Sequence, residues 1–176
     1  MRFELTPATM PEGYGDAVLP LVQAKAHLRV MHAEEDDLIA AMRDAAVQMI
    51  ELYCGVYLRP VTGLVWRGEP YLGRARIGVG PVTAISAVSV GGAAQVAEDY
   101  PVLAGDVTAA KGWPSGMVEI IFSAGYDVPP PLLVAAARMM LGHLYAHREA
   151  VMVGVVSSEV PLGVRSLCNP FRGAKV

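Results

Sequence analysis

Residues 34–55, EEDDLIAAMRDAAVQMIELYCG, constrain the fold more than any other stretch, because their apolar side chains return at helical spacing for about five turns. The pattern predicts one long amphipathic helix. Leu38, Met42, Ala45, Met49 and Leu52 form a stripe, widened by Ile39, Ala46, Ile50 and Tyr53, with Arg43, Asp44, Gln48 and Glu51 mostly opposite. That stripe is expected to face a core. Glu34, Glu35, Asp36 and Asp37 place carboxylates at the positive end of the helix dipole, and Gly55 offers a left-handed stop. The acidic cluster is explained by this helix start without any bound cation.

A helix with one apolar face needs neighbours, and the flanking sequence supplies them. Residues 18–30, VLPLVQAKAHLRV, read as a short helix with Pro20 near its start and Leu21, Ala24 and Leu28 on one face. The link at 31–33 is short, so the two helices are expected to form a hairpin.

From Arg59 onward the texture changes to short runs of valine, isoleucine and aromatics, punctuated by Pro60, Gly63, Gly68, Pro70, Gly73, Gly78, Gly80 and Pro81. Strands are expected at 61–67, 74–79, 84–90, 100–103, 106–109 and 117–123, with Gly91-Gly92 as a hairpin turn. A small antiparallel β region follows. Val118, Ile120 and Phe122 alternate onto one face of its last strand. Pro131 then opens a second long helix reaching about residue 149, apolar nearly all round with Arg138 as its internal charge. Residues 151–156 carry no pattern.

The predicted class is α+β: an N-terminal helix hairpin, a small antiparallel β region, a second long helix and an extended C-terminal segment. The expected organisation is a flexible arm over 1–17, one domain over 18–156 and a docking segment over 157–176. Ser157-Ser158 reads as a mobile link. The segment after it carries Val160, Leu162, Val164, Leu167 and Phe171 between Pro161, Gly163 and Pro170, too many apolar groups for a tail meant to stay in water. It is therefore expected to order on a partner rather than in the subunit core, with Arg165 and Arg172 as polar anchors and Leu167 and Phe171 filling pockets.

Composition narrows the function. The chain has 176 residues and is 53% hydrophobic, with mean hydropathy +0.39, so some apolar surface is expected to meet other subunits. No stretch approaches the ~20 apolar residues of a membrane span, and the first residues lack an apolar signal core, so a location inside the cell is expected. Lys+Arg 14 against Asp+Glu 17 gives net charge -3 without a basic run, which argues against tight nucleic-acid binding.

No catalytic constellation emerges, and neither a cofactor nor a metal is expected. His143 and His147 stand four apart on the second long helix, but the glutamate and third ligand of a zinc site are missing. Cys54 has His27 or His32 available across the hairpin, yet a helix C-terminus beside Glu51 disfavours a thiolate. A structural cysteine is the better reading, and Cys168 forms no CxxC pair with it. Gly78 and Gly80 lack the lysine and following helix of a phosphate loop and read as turn residues.

Four separated stretches together resemble the head-tail connector (adaptor) family of tailed bacteriophages and gene transfer agents. LVQAKAHLRV at 21–30 followed by EDDLI at 35–39 is similar to the family's AKxHLRV segment and acidic EDxLI helix start. Gly112-Trp113-Pro114 with VEIIFSAGY at 118–126 is similar to its WP and IxFxAGY elements. HLYAHRE at 143–149 resembles its HxYxxRE helix end, with His147 where asparagine is frequent. VPLGVRSLCNPFR at 160–172 resembles its terminal PxGVxxLLxPYR, with Cys168 and Phe171 as mild departures.

The resemblance implies a structural, non-enzymatic subunit of a ring of about twelve copies, a dodecamer whose contacts run head to tail. It implies docking to a portal protein on one side and to a neck, stopper or tail-terminator protein on the other. Double-stranded DNA would pass through the channel without specific binding, which the net charge suits. The helical part would carry ring packing and portal docking, and the β loops would face the next component. The implied location is the neck of a virion or phage-like particle, with the host cytoplasm during assembly. Two other functions remain in view: a cellular or prophage-remnant α+β interaction module, and a small metal-dependent enzyme using His143 and His147.

Overall fold

The structure, a computed structural model, describes residues 3–6, 9–148 and 160–172, and its fold is α+β. The chain divides into two units, residues 1–11 with 60–127 and residues 12–59 with 128–176. Each unit is closed by separated stretches of chain.

The first unit holds two antiparallel sheets. One has the order β1 (Phe3–Thr6), β2 (Val61–Gly68), β8 (Val118–Ala124), β4 (Val82–Val90), β5 (Ala93–Gln95), and the other has β3 (Arg74–Arg76), β7 (Asp106–Thr108), β6 (Val102–Leu103). The central strand β8 shows why: Val118, Ile120, Phe122 and Ala124 alternate into the core while Glu119, Ile121 and Ser123 stay half-buried. Trp66 and Phe122 are fully buried, each worth about 1.5–3 kcal/mol of burial. Gly91 and Gly92, both at positive φ, make the two-residue turn between β4 and β5. The expected strands hold to within a few residues. Periodicity did not reveal β5, whose Ala93-Ala94-Gln95 lacks β-forming side chains.

The arm expected over 1–17 is partly built into the fold. Phe3–Thr6 pairs with β2 from Phe3↔Gly68 to Thr6↔Val65, and Phe3 stacks on Trp66 with ring centroids 6.0 Å apart. A Cβ on Gly68 would lie 2.8 Å from Cβ of Phe3, so the missing side chain makes room for the strand.

The second unit contains α1 (Tyr14–Val18), α2 (Leu21–Leu28), α3 (Asp36–Cys54), α4 (Pro131–Ala146) and α5 (Leu162–Cys168). The helix expected over 18–30 is broken at Leu19-Pro20: the residue before a proline is pushed out of the α region, and Leu19 is extended at φ -139, ψ 94. The long helix ends at Gly55 in the left-handed conformation, as its sequence requires. Its buried face is rotated from the expected stripe. Ile39, Met42, Ala46 and Ile50 do face the core, but Arg43, Val47, Glu51 and Cys54 join them, while Leu38, Ala45 and Leu52 are exposed and Met49 is half-buried.

The C-terminal segment is helical instead of extended. Pro161 stands at the N-cap position of α5, and Asn169–Phe171 adds a 3-10 turn. No helix among the described residues is long and apolar enough to cross a membrane.

Candidate functional site

Two of the four stretches that carry the family resemblance, 21–39 and 143–149, converge at one end of the helical unit. Lys25 of α2 donates to Oδ1 of Asp36 at the start of α3, at 2.5 Å. Next to it, Glu35 accepts a hydrogen bond from the Tyr145 hydroxyl of α4, and Arg148 Nη1 lies 3.6 Å from its carboxylate. The hydrogen bond to Glu35 pushes the Tyr145 hydroxyl's pKa up. The acidic cluster is thus a junction of α2, α3 and α4, in which Glu34 also meets His32 at 2.7 Å. Cations from the chain itself occupy it.

A second polar cluster is buried under α3. Glu51 accepts from the Tyr14 hydroxyl at 2.5 Å and from the Leu58 N–H at 2.7 Å, and the Arg59 N–H donates to the Tyr14 oxygen at 3.1 Å. Burial raises the Glu51 pKa, against the lowering effect of its two hydrogen bonds; the Tyr14 hydroxyl is raised by burial first and by Glu51 second. Arg43 reaches Asp16 at 2.7 Å and Asp44 at 2.9 Å. These contacts tie α1 and the chain after α3 to the long helix. The available signal was Val47 and Cys54, apolar residues on the same side as Arg43 that widen the apolar arc.

The proposed docking residues divide by burial. Val164 is fully buried, and Cys168 beside it is fully buried too, so this part of the segment belongs to the subunit core. Val160, Leu167 and Phe171 are half-buried. Arg165 donates to the Val160 carbonyl at 2.9 Å, and Arg172 lies over the Tyr53 ring at 4.6 Å with Nη1 3.3 Å from its hydroxyl. Arg165 therefore holds the chain just before its own helix, and Arg172 engages α3. Leu162 is 82% exposed and is the apolar member left facing outward. The Ser157-Ser158 link and residues 151–156 lie outside the described residues.

The remaining candidates have structural settings. The His143 and His147 rings are 4.5 Å apart, and His147 Nδ1 lies 2.9 Å from the His143 carbonyl; among the described residues no three metal-ligating side chains gather. Cys54 is buried with its Sγ 3.9 Å from the Cys168 carbonyl, and the Cys168 thiol is pushed up by its contact with Cys54 and by burial. Two buried cysteines with the Cys168 thiol held protonated suit a core position. Trp113 of the Gly112-Trp113-Pro114 stretch donates from Nε1 to the Gly73 carbonyl at 3.0 Å and packs on Tyr100.

Neither a protein-family model nor a curated protein matches the sequence. Among solved structures, the chain is similar to one in the neck of an empty gene transfer agent (GTA) particle computed with C6 symmetry, with TM-score 0.74 and 22% identity over 98% of this chain and 97% of that one. The fold is that of a gene transfer agent component. A chain from the virion of a native GTA particle is similar over 98% of this chain and 96% of its own, with TM-score 0.73 and 20% identity. The likeness therefore covers both units and extends to nearly the full length of each neighbour.

Proposed function

We propose that this chain is a structural subunit of the neck of a phage-like particle of the gene-transfer-agent type, a head-tail adaptor without enzymatic activity. The observation that carries the reading is the fold likeness over nearly the whole chain to a component of a GTA neck. The resemblance of the four sequence stretches supports it as well, and two of them, 21–39 and 143–149, share a junction at Lys25, Glu35, Asp36 and Tyr145. The stretch at 160–172 packs as α5 on the same helical unit, while 112–126 belongs to the sheet unit.

In this reading the subunits form a ring, a dodecamer by the family resemblance, between a portal protein and a neck, stopper or tail-terminator protein. DNA crosses the ring without being bound tightly, consistent with the net charge of -3. The helical unit carries ring packing and portal docking, with Leu162 as the exposed apolar contact of the C-terminal segment and the half-buried Val160, Arg165, Leu167 and Phe171, with Arg172, beside it. The protein then resides in the assembled neck, and in the host cytoplasm before assembly. Co-sedimentation of the purified chain with the portal protein of the same particle tests this: joint migration at a fixed ratio is expected, and separate migration would contradict portal docking.

A further inference from the structure

Cys54 and Cys168, the two cysteines of the chain, stand 114 residues apart in sequence and meet in the core. A buried residue touches roughly 6–12 others, so two cysteines placed without regard to each other would meet in a chain of this length roughly one time in twenty. Cys54 is the last residue of α3 and Cys168 the last of α5; both are buried and both are thiols. Cys54 Sγ lies 3.9 Å from the Cys168 carbonyl oxygen, and the two thiols are hydrogen-bonded to each other.

The neighbouring residues join the same two stretches a second time, with Arg172 4.6 Å over the Tyr53 ring. Two contacts therefore hold the backbones together beside the sulfurs, and close, fixed backbones are what a disulfide requires. While α5 is seated, burial and the contact with Cys54 keep the Cys168 thiol protonated and unreactive. A helix of seven residues that buries only Val164 and Cys168 opens locally at small cost, and opening admits a reagent to both sulfurs.

We infer that Cys54 and Cys168 form a disulfide site, in which a small-molecule disulfide oxidant joins the two sulfurs and staples α5 to the end of α3. One cysteine gives up its proton and attacks a sulfur of the oxidant; the oxidant's S–S bond breaks and one half leaves as a thiol with that proton. The second cysteine then attacks the mixed disulfide, the protein's own S–S bond forms, and the other half leaves as a second thiol. Two protein thiols are oxidised and one oxidant disulfide is reduced. The bond forms in an oxidising medium and stays open in a reducing cytoplasm. Closed, it fixes the helix that carries the exposed Leu162. The inference goes beyond the neck reading and stands or falls without it.

The test exposes the full purified chain to oxidised glutathione, in buffer and in urea below the unfolding transition, followed by unfolding, alkylation with iodoacetamide and intact mass. The chain kept in dithiothreitol should take two alkyl groups, and the oxidised chain none, with the loss of two hydrogens and a peptide map that joins residues 54 and 168. Because the bond closes a long loop, the melting midpoint should rise by about 5–10 °C and return on adding dithiothreitol. Cys168→Ala should show no such rise, and Cys54→Ala is the second variant; wild type compared with itself, oxidised and reduced, needs neither. Two alkylated cysteines after oxidant in urea, a bond between chains in place of one within the chain, or an unchanged or lowered midpoint in the bonded chain would each overturn the inference.

Discussion

The Tyr14 hydroxyl donates to Oε1 of Glu51 at 2.5 Å, joining α1 to the long helix across 37 residues of sequence. Glu51 also holds the Leu58 N–H, so one buried carboxylate satisfies donors from both sides of its helix. Glu51→Ala leaves those donors unpaired and is expected to lower stability by about 2–4 kcal/mol, measured by urea denaturation. A loss below about 0.5 kcal/mol would show that the cluster contributes little.

The same carboxyl makes stability depend on pH. Burial raises its folded pKa above the ordinary 4.5, so the folded chain binds this proton more tightly than the unfolded chain does. Its contribution is most favourable below the unfolded value and is lost as pH rises through the folded value. Glu51→Gln retains an acceptor and removes the titration. The stability of wild type relative to Glu51→Gln should thus fall as pH rises above the ordinary 4.5, and a constant difference would contradict the assignment.

The rotated face of α3 gives a paired prediction. Met42→Asp places an unpaired charge in the core and should cost several kcal/mol, about 3 or more, whereas Leu52→Asp at an exposed position should stay within about 0.5 kcal/mol. Thermal melting of the two variants separates them; equal losses would mean that the helix is turned the other way in solution.

That rotation marks the limit of what the sequence disclosed. The existence, ends and cap of α3 follow from local chemistry, and so does the alternation of β8. The choice of face did not, because Arg43 and Glu51 are buried through partners at Asp16 and Tyr14 that lie far away in sequence. Phe3–Thr6 was illegible for a similar reason: a four-residue strand has too few alternations to register, and its place is set by Trp66 and the gap at Gly68. The expected docking segment showed its apolar residues plainly, but burial of Val164 and Cys168 depends on surfaces presented by other helices.

Gly68→Ala probes the N-terminal strand. The added methyl meets Phe3 at 2.8 Å in backbone-close contact, so β1 is expected to loosen and become cleavable near Leu5 at protease levels that spare the wild-type chain. Unchanged resistance would mean that the strand adjusts around the methyl.

Truncation after Ser158 removes α5 with its buried Val164 and Cys168 and the Arg172 contact to Tyr53. The loss of that packing is expected to cost about 3–5 kcal/mol, in place of the folded, binding-deficient subunit that a pure docking tail would leave. An unaltered melting midpoint would return the segment to the role of a tail.

The central claim, a structural place in the neck, is tested most directly by electron microscopy of particles from a host in which this gene has been deleted. The account predicts DNA-packaging heads without attached tails, with tails restored when the intact gene is supplied from a plasmid. Tailed particles of normal form in the deletion strain would contradict it.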